Sequence, residues 1–251
     1  METAKGISTM SLQLSKRMKF FGSHLAISLF IATIALLLVF IFWYPFPLSK
    51  AVGVTYLFLM MLVIDVIVGP ILGFIVYKEG KKTLKMDLAI IILVQISALM
   101  YGLYSIEKGR PAYIVYNIDR FELVRKNEIV SNDHQHNANF GAYPSYVAVK
   151  YPDDRKLKEK LMFDEIFGGV SLSQRPEYYQ DISNVHQQIK YKMQPLQKIA
   201  DFNEHALIGK LLINYPRAVG FVPLKANHLD MTVLVNAEGK PLKIVDLRPW
   251  N

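Results

Sequence analysis

The sequence predicts a membrane protein, with three transmembrane α-helices followed by an α+β extracytoplasmic domain that has a mostly antiparallel sheet. Three observations carry this. Residues 25–104 are almost continuously hydrophobic while 105–251 read as an ordinary polar domain, so the 52% apolar total conceals a sharp split. The 26 residues from Val52 to Tyr77 hold a single charge, Asp65. As a helix they would reach ~39 Å, against a hydrocarbon core of ~30 Å. The remaining 147 residues suffice for a core of their own, and their strand, helix and strand signals follow one another in that order.

Residues 1–23 form a polar N-terminal segment with Lys5, Lys16, Arg17 and Lys19 against one acid, Glu2; Met10 is an alternative start. The first span is Leu25 to Tyr44, closing on Trp43 and Tyr44, rings suited to a bilayer interface. Its apolar run exceeds a signal-peptide core and no small-residue cleavage site follows, so it reads as an uncleaved anchor. Pro45-Phe46-Pro47 breaks the helix, because proline lacks an N–H and restrains its predecessor. The second span, Val52 to Tyr77, empties into Lys78, Lys81, Lys82 and Lys85, and the third is Leu88 to Tyr104. The membrane region is thus 24–104, with spans at about 25–44, 52–77 and 88–104. Three basic residues precede the first span within nine positions, four fill the second loop, and the first loop holds only Lys50. The positive-inside rule then puts the N-terminus and second loop in the cytoplasm and 105–251 on the outer face. For a Gram-negative inner membrane that face is the periplasm.

Asp65 lies near the middle of its span, where a carboxylate costs roughly 2.5–3.5 kcal/mol unless it finds a partner. Three readings stand open. The group is protonated or bonded to Gln95, Ser97 or Thr33; it meets another protein's transmembrane helix; or it serves an ion pathway, which needs further ionisable groups than the spans supply. Gly69-x-x-x-Gly73 with Pro70 flattens and bends the same helix, allowing close backbone approach.

In the polar part, Ala112 to Tyr116 and Phe121 to Val124 read as paired strands, and Tyr146 to Tyr151 as another. Asp153 is placed to cap a helix running to about Phe167 with Leu157, Leu161, Met162 and Ile166 on one face, ended by Gly168-Gly169. Further helices are expected over Ser183–Tyr191, from Pro195 to about Ala200, and over Asn203–Ile213. Runs at Ala218–Leu224, Met231–Val235 and Leu242–Leu247 are strands, the last two joined in a hairpin by Asn236-Ala237-Glu238-Gly239.

The chemistry-bearing residues form no catalytic constellation. A net charge of +8 would suit nucleic acid, but much of the surplus flanks the spans, where it sets topology, so no nucleic-acid partner is expected. Without cysteine there are no disulfides, thiolate metal sites or cysteine nucleophile. Asp133-His134-Gln135-His136 has some metal character but no further ligand at a recognisable spacing, and His24, His186, His205 and His228 are scattered. Serine elbows and phosphate loops are absent, and Asp153-Asp154 and Asp164-Glu165 read as helix-end carboxylates. Neither cofactor nor metal is expected. Tyr178, Tyr179 and Tyr191 form either an aromatic contact surface or part of the core.

Several elements then stand in a familiar order. Asp65…Gly69-Pro70 runs into Val76-Tyr77-Lys78…Gly80-Lys81-Lys82-x-Leu84-Lys85-x-Asp87-Leu88, followed by Gln95…Tyr101-Gly102. Arg110-Pro111-Ala112-Tyr113, Asp119-Arg120-Phe121 and Pro176-x-Tyr178-Tyr179 come next. Phe221-Val222-Pro223-Leu224, Asp230 and Leu247-Arg248-Pro249-Trp250 close the series. In all but about the first twenty residues the chain resembles the TfpX/TfpZ family of type IV pilin accessory proteins. The resemblance implies an inner-membrane, non-enzymatic protein that associates with the major type IV pilin and modulates its assembly or surface piliation. It supplies no catalytic residues. Candidate contacts are Asp65, Gly69, Pro70 and Gly73 in the membrane, and Arg110, Asp119, Arg120, Tyr178 and Tyr179 outside it. The competing classes are a periplasmic enzyme, using His134, His136, Asp153 or Asp164, and a ligand-binding membrane sensor.

Overall fold

The computed structural model describes residues 2–130 and 143–250. The chain divides into two compact units, one of Met1–Val39 with Val54–Glu107 and one of Phe40–Gly53 with Lys108–Asn251.

Helices α1 (Glu2–Leu37), α2 (Leu48–Val52), α3 (Val54–Val76) and α4 (Leu84–Lys108) come first, with a π-helical turn over Leu38–Trp43 extending α1. Lys16–Trp43, Val54–Val76 and Leu84–Lys108 are each long and apolar enough to cross a membrane. This is a membrane protein. Phe30, Leu57, Ile75 and Leu93 point outward and are exposed, the reverse of a water-soluble bundle and the pattern that lipid requires. At the charged end of this unit Arg17 donates to the Phe74 carbonyl at 2.8 Å and lies 4.7 Å from the Phe74 ring, while Lys16 pairs with Glu79. The last carbonyls of α3 lack helical donors, so a guanidinium there closes the helix end.

The globular unit holds eight strands among the described residues: β1 (Pro111–Asn117), β2 (Arg120–Arg125), β3 (Ser145–Val149), β4 (Tyr179–Asp181), β5 (Gln194–Pro195), β6 (Gly220–Lys225), β7 (Met231–Val235) and β8 (Pro241–Val245). They form one sheet in the order β4-β3-β1-β2-β6-β7-β8, with β5 also on β6. Only β1–β3 and β2–β6 are parallel pairs; the other five are antiparallel. Alternation along β1 sends Ile114 and Tyr116 into one apolar cluster and Tyr113 and Val115 into another. Both faces of the strand are therefore covered, which is why it reads as an unbroken hydrophobic run. The β7–β8 hairpin turns on Gly239 at φ 83°, where an added Cβ would stand 1.9 Å from the His186 carbonyl oxygen.

Between the two sheet-rich ends lie α5 (Arg155–Gly168), α6 (His186–Lys192) and α7 (His205–Asn214). The cap of α5 is Asp154, not Asp153: its carboxylate accepts from the Lys156 and Leu157 amides. Of the four apolar residues expected to face inward only Leu161 is buried; Met162 and Ile166 are exposed, beside a Phe163–Phe167 ring pair at 4.3 Å. The segment Ile182–Val185 is a 3₁₀ turn leading into α6, and Pro195 stands as the cap of a second, Leu196–Asp201.

The break after the first span does more than turn the chain. Tyr44, expected at a lipid interface, is buried, and Leu48 and Ala51 belong to the same apolar cluster as Ile114, Phe121 and Val233. The Ala51 carbonyl accepts from the His228 and Leu229 amides at 3.0 and 3.2 Å, and Lys50 pairs with Asp246 at 2.8 Å. Gly53, at φ 79°, passes so close to His228 that a Cβ would meet its ring carbon at 2.8 Å.

Candidate functional site

In the membrane unit, Asp65 sits at the midpoint of α3 and lines a half-open groove of about 250 Å³. Its walls are apolar, from Ile27 and Ile31 of α1, Leu62 and Val66 of α3, and Ile92 and Ile96 of α4. Polar groups enter at three places: Ser23, His24 and Ser28 on α1, Asp65 on α3, and Gln95 on α4.

The sequence offered Thr33, Gln95 and Ser97 as partners for the Asp65 carboxyl, and none of them bonds it. Thr33 donates to the Leu29 carbonyl at 2.8 Å, as a helical threonine does when no better acceptor is in reach. Gln95 donates to the Asp65 backbone carbonyl at 3.0 Å instead of to the side chain. Asp65 Oδ2 and His24 Nδ1 are both buried and make no hydrogen bond among the described residues.

Glycines make this packing possible. A Cβ on Gly69 would lie 1.6 Å from Gln95 Nε2, so only glycine lets the amide reach the carbonyl one turn back. A Cβ on Gly73 would lie 2.8 Å from the Phe20 ring and 3.3 Å from His24 Nδ1. The small-residue face, with Pro70 also buried, is therefore taken up by the chain's own helices. The groove beside it stays open. His24 was missed because it stands one residue outside the apolar run; α1 continues through it, so it faces the same groove as Asp65.

In the globular unit, Asp119 and Arg120 form an ion pair of 3.3 Å at the tip of the β1–β2 hairpin. The tip borders a cleft of about 480 Å³ that also takes in Glu122, Tyr151, Lys158 and Glu165. Ile118 holds φ 60°, a strained value for a β-branched residue, and its side chain is exposed. Its carbonyl is gripped by the Tyr116 hydroxyl at 3.0 Å and the Gln188 amide at 3.4 Å. Burial, helped by the Asp119 charge, pushes the Tyr116 phenol up to about 12. Tyr151 donates to Asn117 Oδ1 at 3.0 Å, and burial together with Glu165 and Glu122 raises its phenol as well.

Tyr178 and Tyr179 pack against the Tyr113 and Val115 cluster, with the Tyr179 ring 5.1 Å from Tyr113 and its hydroxyl donating to the Ser173 carbonyl. Arg110 is 3% exposed. Arg110 is thus buried, and the two tyrosines are partly buried against the core. Asp164 pairs with Arg175 at 3.1 Å, and His134 and His136 lie outside the described residues. Among the described residues no three histidine or carboxylate side chains gather as metal ligands.

Comparison with known proteins adds to this geometry. Residues 12–53 match the family model of fimbrial assembly protein FimB. A serogroup E1 fimbrial assembly protein of Dichelobacter nodosus is 30% identical over 224 residues, 83% of this chain and 86% of the relative. The chain belongs to the fimbrial assembly protein family. A serogroup I member from the same organism is 31% identical over 186 residues, 71% of this chain and 72% of its own length. A third, from serogroups C1 and C2, is 36% identical over 117 residues, 46% of this chain and 89% of its own length. No solved structure matches. The FimB match spans the His24 wall of the groove and the whole of the loop that packs into the globular unit.

Proposed function

We propose that this chain is an inner-membrane accessory factor for type IV pilus assembly, acting by contact with the pilin and without catalysis. The observation that carries the reading is the identity to fimbrial assembly proteins, which runs through 83% of the chain. The lysine distribution supports a cytoplasmic segment at 1–23, a membrane region at 24–104 and a periplasmic domain at 105–251. A pilin awaiting assembly has an apolar helix in the bilayer and a head outside it. A factor acting on it needs surfaces in both places. The Asp65 groove is the surface we assign in the membrane unit, and the Ile118–Asp119–Arg120 tip with its cleft is the one we assign outside.

Photocrosslinkers at Ile96 in the groove wall and at Ile118 on the hairpin tip test this in cells. Both positions are expected to yield pilin adducts, and deletion of the protein is expected to change the number of surface pili. Adducts only with unrelated membrane proteins, together with unchanged piliation, would overturn the proposal.

A further inference from the structure

We infer that the groove beside Asp65 binds a transmembrane helix that carries one polar, hydrogen-bonding side chain at the level of the bilayer midplane. This rests on the membrane half of the assembly proposal and specifies the chemistry of the partner. Asp65 stands eleven residues from either end of α3, so ~16 Å of helix separates it from the interfaces on both sides. Asp65 lines the groove and its buried Oδ2 makes no hydrogen bond among the described residues, while Gln95 spends its amide on the neighbouring backbone carbonyl. In hydrocarbon an unmet polar group is costly, and lipid tails cannot meet it. Headgroups are too far away.

The occupant must therefore be apolar along its length, to fit walls built from Ile27, Ile31, Leu62 and Ile92, and polar at one level. An amide, hydroxyl or carboxylic acid on a helix satisfies both conditions. His24 marks a second polar level: it lies against Gly73, eight residues or ~12 Å along α3 from Asp65, too far to share one partner group. Gly69 and Gly73 are already covered by Gln95 and by Phe20 with His24, so the partner docks on the polar edge and not on the glycines.

The full chain in lipid nanodiscs, titrated with labelled polyleucine helices of roughly 20 residues, tests this. One helix is all leucine and the other has a central asparagine. The asparagine helix is expected to bind about tenfold more tightly, equal to ~1.4 kcal/mol, the order of an interhelical hydrogen bond in a bilayer. Asp65→Leu, which suits lipid and leaves the helix intact, should abolish the preference without weakening the all-leucine helix. Asp65→Asn and His24→Leu should both retain it. Equal affinity of the two helices for the natural chain, as a groove satisfied by water alone would give, overturns the inference. So does a preference that survives Asp65→Leu. A failed preference with pilin still crosslinked from Ile96 removes this inference and leaves the assembly proposal standing. A clear preference with pilin never crosslinked supports the inference and removes pilin as the occupant.

Discussion

Glu128 shows how one side chain can hold a segment in place. Its carboxylate accepts from the Arg125 amide at 2.9 Å, from the Arg125 guanidinium at 2.7 Å and from the Asn227 amide at 2.8 Å. Burial pushes its carboxyl up, but the Arg125 hydrogen bonds and charge, with Asn227, outweigh this and leave it below its ordinary 4.5. A lowered folded value means the unfolded chain binds the proton more readily, so the contribution is complete above 4.5 and is lost as pH falls through the folded value. Glu128→Gln should cost about 1 kcal/mol near neutrality, and chemical unfolding curves of the two proteins should converge below pH 4.5. A gap independent of pH would show that the charge contributes nothing. Residue chemistry of this kind was only partly legible beforehand. Asp65 stood out because a lone charge in an apolar run is conspicuous. Its lack of a side-chain partner did not, because that depends on which way Gln95 turns.

At the level of elements, the hairpins β1–β2 and β7–β8 were readable, since each pairs neighbours across a short connection; that β6 pairs β7 was not read. The parallel pairs were not: β2 meets β6 across about a hundred residues, and no local signal encodes that choice. Strand β4 escaped notice because its three residues are too few to show alternation. Helix α5 misled for a different reason: apolar residues at helical spacing predict a buried face, yet Ile166 and Phe167 are each 72% exposed. The loop containing α2 is the largest surprise, because its contacts, such as Lys50 with Asp246, lie 196 residues apart in sequence. Its burial predicts a sharp contrast. Leu48→Ala should cost ~2–5 kcal/mol in thermal unfolding of the detergent-solubilised protein, whereas Leu29→Ala, on an exposed position of α1, should stay within ~0.5 kcal/mol. Equal effects would mean that the loop is only a connection.

For the whole molecule, the three helices fit the class read from composition and hydrophobic run length, and the mostly antiparallel sheet fits the order of the later elements. The orientation proposed from the lysine count makes a direct prediction. A reporter enzyme that requires export should be active when joined after Trp250 and inactive when inserted at Thr83; the opposite pattern would invert the topology. The globular unit also has a property that its position at the end of the chain conceals. Part of its core is translated before the second and third helices, and the rest after them. Nascent globule must therefore wait, half assembled, until both later spans have been threaded and the C-terminal strands arrive to close over Leu48 and Ala51. A recombinant fragment beginning at Lys108 would lack that plug and expose a greasy slot, and grafting residues 44–53 onto it is the rational route to a soluble version.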